Sequence, residues 1–174
     1  TKVFEPFGTR RVVVPTLDAR ADKPLAFADL GPEENPALGK RGLRLSALRQ
    51  DLLDTQLEAL RRAAKATLAE VKVMAPMVAT PEEAAWFARR VRENGLPSVG
   101  GIIEVPGAAL LASHVLGEGD FGALGTNDLA QNTMGADRRG GGTSDLLDPR
   151  HPAVLQGHGN RLEGAGLAGQ QGGG

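Results

Sequence analysis

The chain has 174 residues, 41% of them hydrophobic and 24% charged, with a formal net charge of −1; that is enough for one domain with a sizeable core, and it sets up no field favouring nucleic acid or an anionic membrane. Cys and Tyr are absent and aromatics total 3%, which excludes disulfides, zinc–thiolate sites and a cysteine nucleophile and argues against a base-stacking surface. No apolar run reaches transmembrane length and Thr1–Glu5 lack a signal-peptide pattern, so the cytoplasm is the default compartment; the missing initiator Met reads as the mark of a fragment.

In chain order, Arg11–Leu17 is a β-branched run that predicts a strand, with Pro15 removing one ladder donor. Asp22–Gly39, rich in Pro, Gly and acids, reads as a connection longer than compact domains usually leave unstructured. From Leu43 to Ala69 the composition and the spacing of Leu53, Leu57 and Leu60 predict helix. Val71–Met77 predicts a strand ending at Pro76. Thr80-Pro81-Glu82-Glu83 predicts a helix start: Thr80 as N-cap, Pro81 at the first position and Glu83 closing a capping box, with Asn94-Gly95 as the stop. Val99–Val105 predicts a strand, Pro106 to about Val115 a helix, and Asp120–Thr126 a further strand. This alternation predicts α/β with parallel strands and right-handed crossovers, in a barrel or an open doubly wound sheet. From Gln156 the sequence is glycine-rich without a sustained apolar period, so residues 1–155 are expected to fold and 156–174 to form a disordered tail.

The densest chemistry lies in Gly101–Pro106 and Gly122–Gln131, each read as a buried strand ending in an acid. Carboxylates at the C-terminal tips of parallel strands are where α/β enzymes place ligands and catalytic groups. Glu104 and Asp128, from successive strands, could share a hard cation such as Mg²⁺, or could be ordinary strand-end acids or helix caps. Asn127 is either a group that orients a substrate oxygen or a turn residue. Arg41, Lys72 and Arg138 are candidate anion binders. Lys72 interrupts an apolar strand, and a cation there requires an anionic partner. His114, His151 and His158 show no metal-ligand spacing.

Val12–Asp18, Asp22–Leu25, Glu33–Arg41, Val73–Met77, Ile103–Pro106, Gly125–Leu129 and Leu147–Pro149, taken in series, resemble the phosphoenolpyruvate-binding C-terminal domain of enzyme I of the bacterial sugar phosphotransferase system. The resemblance covers roughly residues 11 to 155 and implies a (β/α)₈ barrel with its site at the C-terminal strand ends. It implies Mg²⁺ on Glu104 and Asp128, phosphoenolpyruvate contacts from Asn127 and the neighbouring backbone, and phosphate and carboxylate oxygens held by Arg41 and Arg138. It also implies phosphoryl transfer to a histidine on another domain, and beyond it a phosphocarrier protein.

Departures from the family pattern limit this. Pro15 and Lys72 stand where the family usually has arginine, Arg20-Ala21 where it has a glycine pair, and the cysteine that protonates the enolate carbon of pyruvate is absent. Lys72 keeps the charge but lacks a bidentate fork. A complete barrel needs about 200 residues or more, and strands at Val12, Val71, Val99 and Asp120 supply about half of one. Open strand edges then predict self-association or poor stability. The leading expectation is part of a phosphoenolpyruvate–protein phosphotransferase, inactive alone. The alternatives are a citrate-lyase-type Mg²⁺-dependent lyase and a non-catalytic dimerising half-barrel.

Overall fold

The computed structural model describes residues 1–20, 25, 27–28, 31–138, 142–148 and 150–156. Asp22-Lys23-Pro24, Pro149 and residues 157–174, which carry part of the sequence reading, lie outside them. The described elements are β1 (Arg11–Pro15), α1 (Leu43–Leu48), α2 (Gln50–Lys65), β2 (Glu70–Ala75), α3 (Pro81–Glu93), β3 (Val99–Ile103), α4 (Pro106–Leu110), α5 (Ala112–Gly117), β4 (Phe121–Leu124) and α6 (Thr126–Met134), with 3-10 turns at Glu5–Phe7 and Ser144–Leu146. The strands form a four-stranded sheet in the order β1-β2-β3-β4, with β1 parallel to β2 and β3 parallel to β4. This is the expected α/β fold, consistent with an incomplete (β/α)₈ barrel. Among the described residues no helix is long and apolar enough to cross a membrane.

Two compact units divide the chain. The first comprises Thr1–Met77 and Trp86–Val99; the second comprises Val78–Ala85 and the described residues from Gly100 onward.

In the first unit, β1 and β2 pair with Val12 opposite Val71 and Val14 opposite Val73. Alternation puts Val12, Val14 and Val71 on one face, where they pack with Phe4, Ala69 and the α2 residues Leu60, Ala63 and Ala64. Leu53 and Leu57, at helical spacing, are buried on the same helix. Each fully buried Leu contributes about 2 kcal/mol. The helix expected from Leu43 onward is broken at Arg49, whose φ of −121° and ψ of 66° end α1 and start α2. The Arg49 guanidinium bridges to Asp51 (2.9 and 2.8 Å), an acid in the first turn of α2, where it also suits the helix dipole. Gly42, at φ 55°, turns the chain into α1. A side chain there would lie 2.8 Å from Met77 Cβ and 3.0 Å from the Pro76 carbonyl, and Leu43 N–H donates to that carbonyl at 3.1 Å. Met77 is buried with φ 58°, a conformation that costs a non-glycine residue about 1–2 kcal/mol. The turn after β2 is thus fixed by backbone geometry as well as by packing.

Glu58 on α2 accepts from Arg61 (2.7 Å to each oxygen) and from Arg62 (2.7 Å). These bonds, Arg61 first, lower its pKa from 4.5 to about 2. A depressed carboxylate pKa adds stability that is full above the unfolded value and is lost as pH falls through the folded one. We expect Glu58→Gln to remove part of the acid sensitivity of unfolding between pH 4.5 and about 2, checked by denaturant melts at stepped pH. Equal slopes for parent and variant would contradict this.

In the second unit the capping box forms as expected: Glu83 N–H donates to Thr80 Oγ1 (3.2 Å), while Thr80 N–H (3.3 Å) and Ala79 N–H (2.8 Å) donate to Glu83 Oε2. The other end of α3 lies in the first unit, where Gly95 takes φ 75° as the expected stop. The helix expected from Pro106 is interrupted at Leu111, giving α4 and α5. Their small residues Ala108, Ala109 and Ala112 are buried, and α4 packs against α6, which buries Leu129 and Ala130. His114 is exposed on α5. His151 opens a final helical turn over 152–156, its Nδ1 accepting from Ala153 N–H at 3.3 Å.

Candidate metal and anion site

β3 and β4 run side by side with Ile103 opposite Leu124, and Gly125 N–H donates to Ile103 O at 3.0 Å. The residues after these two strands, Glu104 and Gly125, therefore emerge together. Glu104 is 6% exposed. A Cβ on Gly125 would fall 2.5 Å from Glu104 Oε2 and 2.6 Å from Glu104 Cβ. The absence of a side chain at Gly125 makes the recess in which the glutamate lies.

The chain then enters α6 at once. The sequence placed Asp128 at a strand tip; the structure corrects this to the first turn of α6, with β4 already ended at Leu124. Gly125 precedes the helix at φ −97° and ψ 80°, so Thr126, Asn127 and Asp128 form its first three positions. An acid there is favoured by the unsatisfied amides and positive end of the helix. Asp128 has a side chain 13% exposed, and its Oδ2 lies 3.8 Å from Arg138 Nη1. Asn127 is exposed.

Two side chains further along α6 complete the arrangement. Asn132 Nδ2 donates to the backbone carbonyl of Glu104 (3.2 Å), and buried Gln131 accepts the backbone N–H of Arg138 through Oε1 (3.2 Å). Gly135, at φ 61°, ends the helix and turns the chain back toward Arg138. Glu104, Asn127, Asp128 and Arg138 are thereby gathered around one helix of the second unit.

Arg41 and Lys72 belong to the first unit. The Arg41 side chain is 4% exposed and forks onto Asp18, which is 30% exposed: Nε to Oδ1 at 2.9 Å and Nη2 to Oδ2 at 2.5 Å. Nη1 reaches the Ala37 carbonyl at 3.5 Å. Lys72, half-buried within β2, meets the requirement for an anionic partner through Glu70 at 3.3 Å. The sequence reading did not single out Asp18, Gln131 or Asn132. Gln131 and Asn132 follow Asp128 by three and four residues, the spacing that shares a helix face, but that spacing carries information only once the segment is known to be helical.

The donor set suits a small hard cation. Mg²⁺ takes one or two protein carboxylates and fills its octahedron with water and substrate oxygens. Glu104 and Asp128 match that demand. Among the described residues there is no cluster of three His, Cys, Asp or Glu, so an all-protein cage is not part of the described site.

The chain matches the family described as PEP-utilising enzyme, PEP-binding domain, over residues 1–172. It is 52% identical over 155 residues to a phosphoenolpyruvate-protein phosphotransferase of Streptomyces coelicolor, covering 88% of this chain and 28% of that protein. Proteins of the same description from Haloferax volcanii and Bacillus subtilis are 43% and 39% identical over 168 and 166 residues, which is 89% and 88% of this chain and 30% and 29% of theirs. The chain thus spans under a third of the length of these curated relatives. On this match the chain belongs to the PEP-utilising enzymes, through their PEP-binding domain.

Proposed function

We propose that this chain binds Mg²⁺ and phosphoenolpyruvate as part of a phosphoenolpyruvate-protein phosphotransferase. The observation that supports this best is the Glu104 carboxylate recessed over Gly125, where β4 gives way to the helix carrying Asp128. Glu104 and Asp128 hold the cation, which when bound supplies charge neutralisation and a template for the substrate oxygens. The Asn127 amide orients an oxygen of the substrate. Arg138, within ion-pair range of Asp128, meets one of its anionic groups. In the first unit, Arg41 and Lys72 are assigned to anion binding within that unit, Arg41 by exchanging Asp18 for the anion's oxygens on its planar fork and Lys72 as a point charge. Phosphoryl transfer of this kind rests on positioning and charge neutralisation, and the acceptor in the reading is a histidine on another domain.

Turnover needs a proton for the enolate carbon, which the resemblance assigns to a cysteine that this chain lacks. The expected result is therefore weak, saturable, Mg²⁺-dependent binding of phosphoenolpyruvate by calorimetry and no pyruvate from the purified chain. A flat titration overturns the binding reading; pyruvate formation overturns the assignment as non-catalytic alone.

A further inference from the structure

We propose that Gln131 and Asn132 are the positioning residues of this site, each serving a different ligand: Asn132 sets the carboxylate that meets the cation, and Gln131 sets the arginine that meets the anion. The inference rests on the Mg²⁺ and phosphoenolpyruvate reading above. Neither side chain needs to touch a ligand. Asn132 Nδ2 donates to Glu104 O (3.2 Å) and so fixes the backbone from which the Glu104 side chain departs into its recess. Gln131 is buried, and its Oε1 accepts Arg138 N–H at 3.2 Å. Arg138 lies beyond the helix end, four residues past Met134, and this bond ties its main chain back to the helix. Its guanidinium then returns to within 3.8 Å of Asp128.

The helix thus carries Asn127 and Asp128 directly and sets Glu104 and Arg138 through their main chains. A bond to the main chain has a specific consequence. It is indifferent to which side chain occupies the tethered position, so it fixes where the functional group starts rather than its charge. Outer partners that orient metal ligands typically alter metal affinity 10- to 100-fold when removed. Misplacing a substrate-binding group by about 1 Å can cost about 100-fold.

The test uses Asn132→Leu and Gln131→Met, which keep approximate size, keep or raise helix propensity, and lose the donor or the acceptor, and Gln131→Glu, which keeps an acceptor oxygen. Calorimetric titrations are run with Mg²⁺ alone, and with phosphoenolpyruvate at saturating Mg²⁺. Circular dichroism melts check that each variant folds. We expect Asn132→Leu to weaken Mg²⁺ binding by about 10-fold or more. Gln131→Met should leave Mg²⁺ binding within about 2-fold while weakening phosphoenolpyruvate by about 10-fold or more. Gln131→Glu should recover most of that loss. A general structural role would instead lower both affinities together with the melting temperature in every variant, and that result overturns the proposal. Parent-like titrations in both loss variants also overturn it while leaving the site reading intact. Absence of Mg²⁺ binding by the parent chain overturns both.

Discussion

Asp18→Ala is expected to lower stability by about 3 kcal/mol, because it leaves the Arg41 charge in a place water does not reach. Arg41 is 4% exposed and donates to both carboxylate oxygens of Asp18 at 2.9 and 2.5 Å. A guanidinium withdrawn from solvent is tolerated when its donors are used by an anion in matching geometry. The penalty is therefore asymmetric. Removing Asp18 strands a buried cation, whereas Arg41→Met removes the buried charge and leaves Asp18 with its partial access to water. The double variant Asp18→Ala with Arg41→Met is expected to be more stable than Asp18→Ala alone. For a chain of this size the single loss corresponds to a fall in Tm of about 6–12 °C. Denaturant melts of the three variants check this. A single Asp18→Ala variant within about 0.5 kcal/mol of the parent would show the pair to be of the weak surface kind.

The second large effect is expected from the smallest substitution, Gly125→Ala. Its Cβ would fall 2.5 Å from Glu104 Oε2, 2.6 Å from Glu104 Cβ and 3.1 Å from Ile102 Cγ2. Rotation of the glutamate head can relieve the first contact. The second involves the root of the side chain, so the tips of β3 and β4 must separate. Overpacking of this kind costs about 1–3 kcal/mol. The recess is also lost, and Mg²⁺ affinity is expected to fall by about 10-fold or more, on the scale of a misplaced ligand. Gly117→Ala is the control. It lies at the end of α5 with nothing within 4 Å of its would-be Cβ, so both Mg²⁺ binding and stability should stay close to the parent's. Unchanged Mg²⁺ binding in Gly125→Ala would remove Glu104 from the site.

The strands and α3 were legible in the sequence because their signals are local. β-branched runs, the Thr80–Glu83 box and the Gly95 stop each act within a few residues, and each stands in the structure where expected. Errors fell at strand ends and inside long helical stretches. Arg49 and Leu111 divide helices that composition reads as continuous, since nothing in an Arg or Leu announces a change of direction that packing imposes. Strand tips ended early because the chain must leave the sheet to place the next element, as at Gly125. The missed α6 had the largest consequence. Read as the end of a strand, Asp128 was a single acid at a tip. On a helix it shares a face with Gln131 and Asn132, and the tethers to Arg138 and Glu104 follow. The pairing of Asp18 with Arg41 was not legible for another reason: the two lie 23 residues apart, and no periodicity links them.

Pro15 has a further consequence. Even-numbered residues of β1 turn their main chain toward β2: Thr16 N–H donates to Met74 O at 2.9 Å, and Arg10 O accepts from Glu70 N–H at 3.2 Å. Arg11, Val13 and Pro15 therefore face away from β2, on the side where the described sheet ends. Pro15 has no N–H to offer there, and Arg11 places an exposed charge at the opposite end of the strand. A chain seeking to zip onto this margin finds a gap in the row of donors where the strand leaves the sheet. We expect this gap to disfavour strand-on-strand growth through this margin.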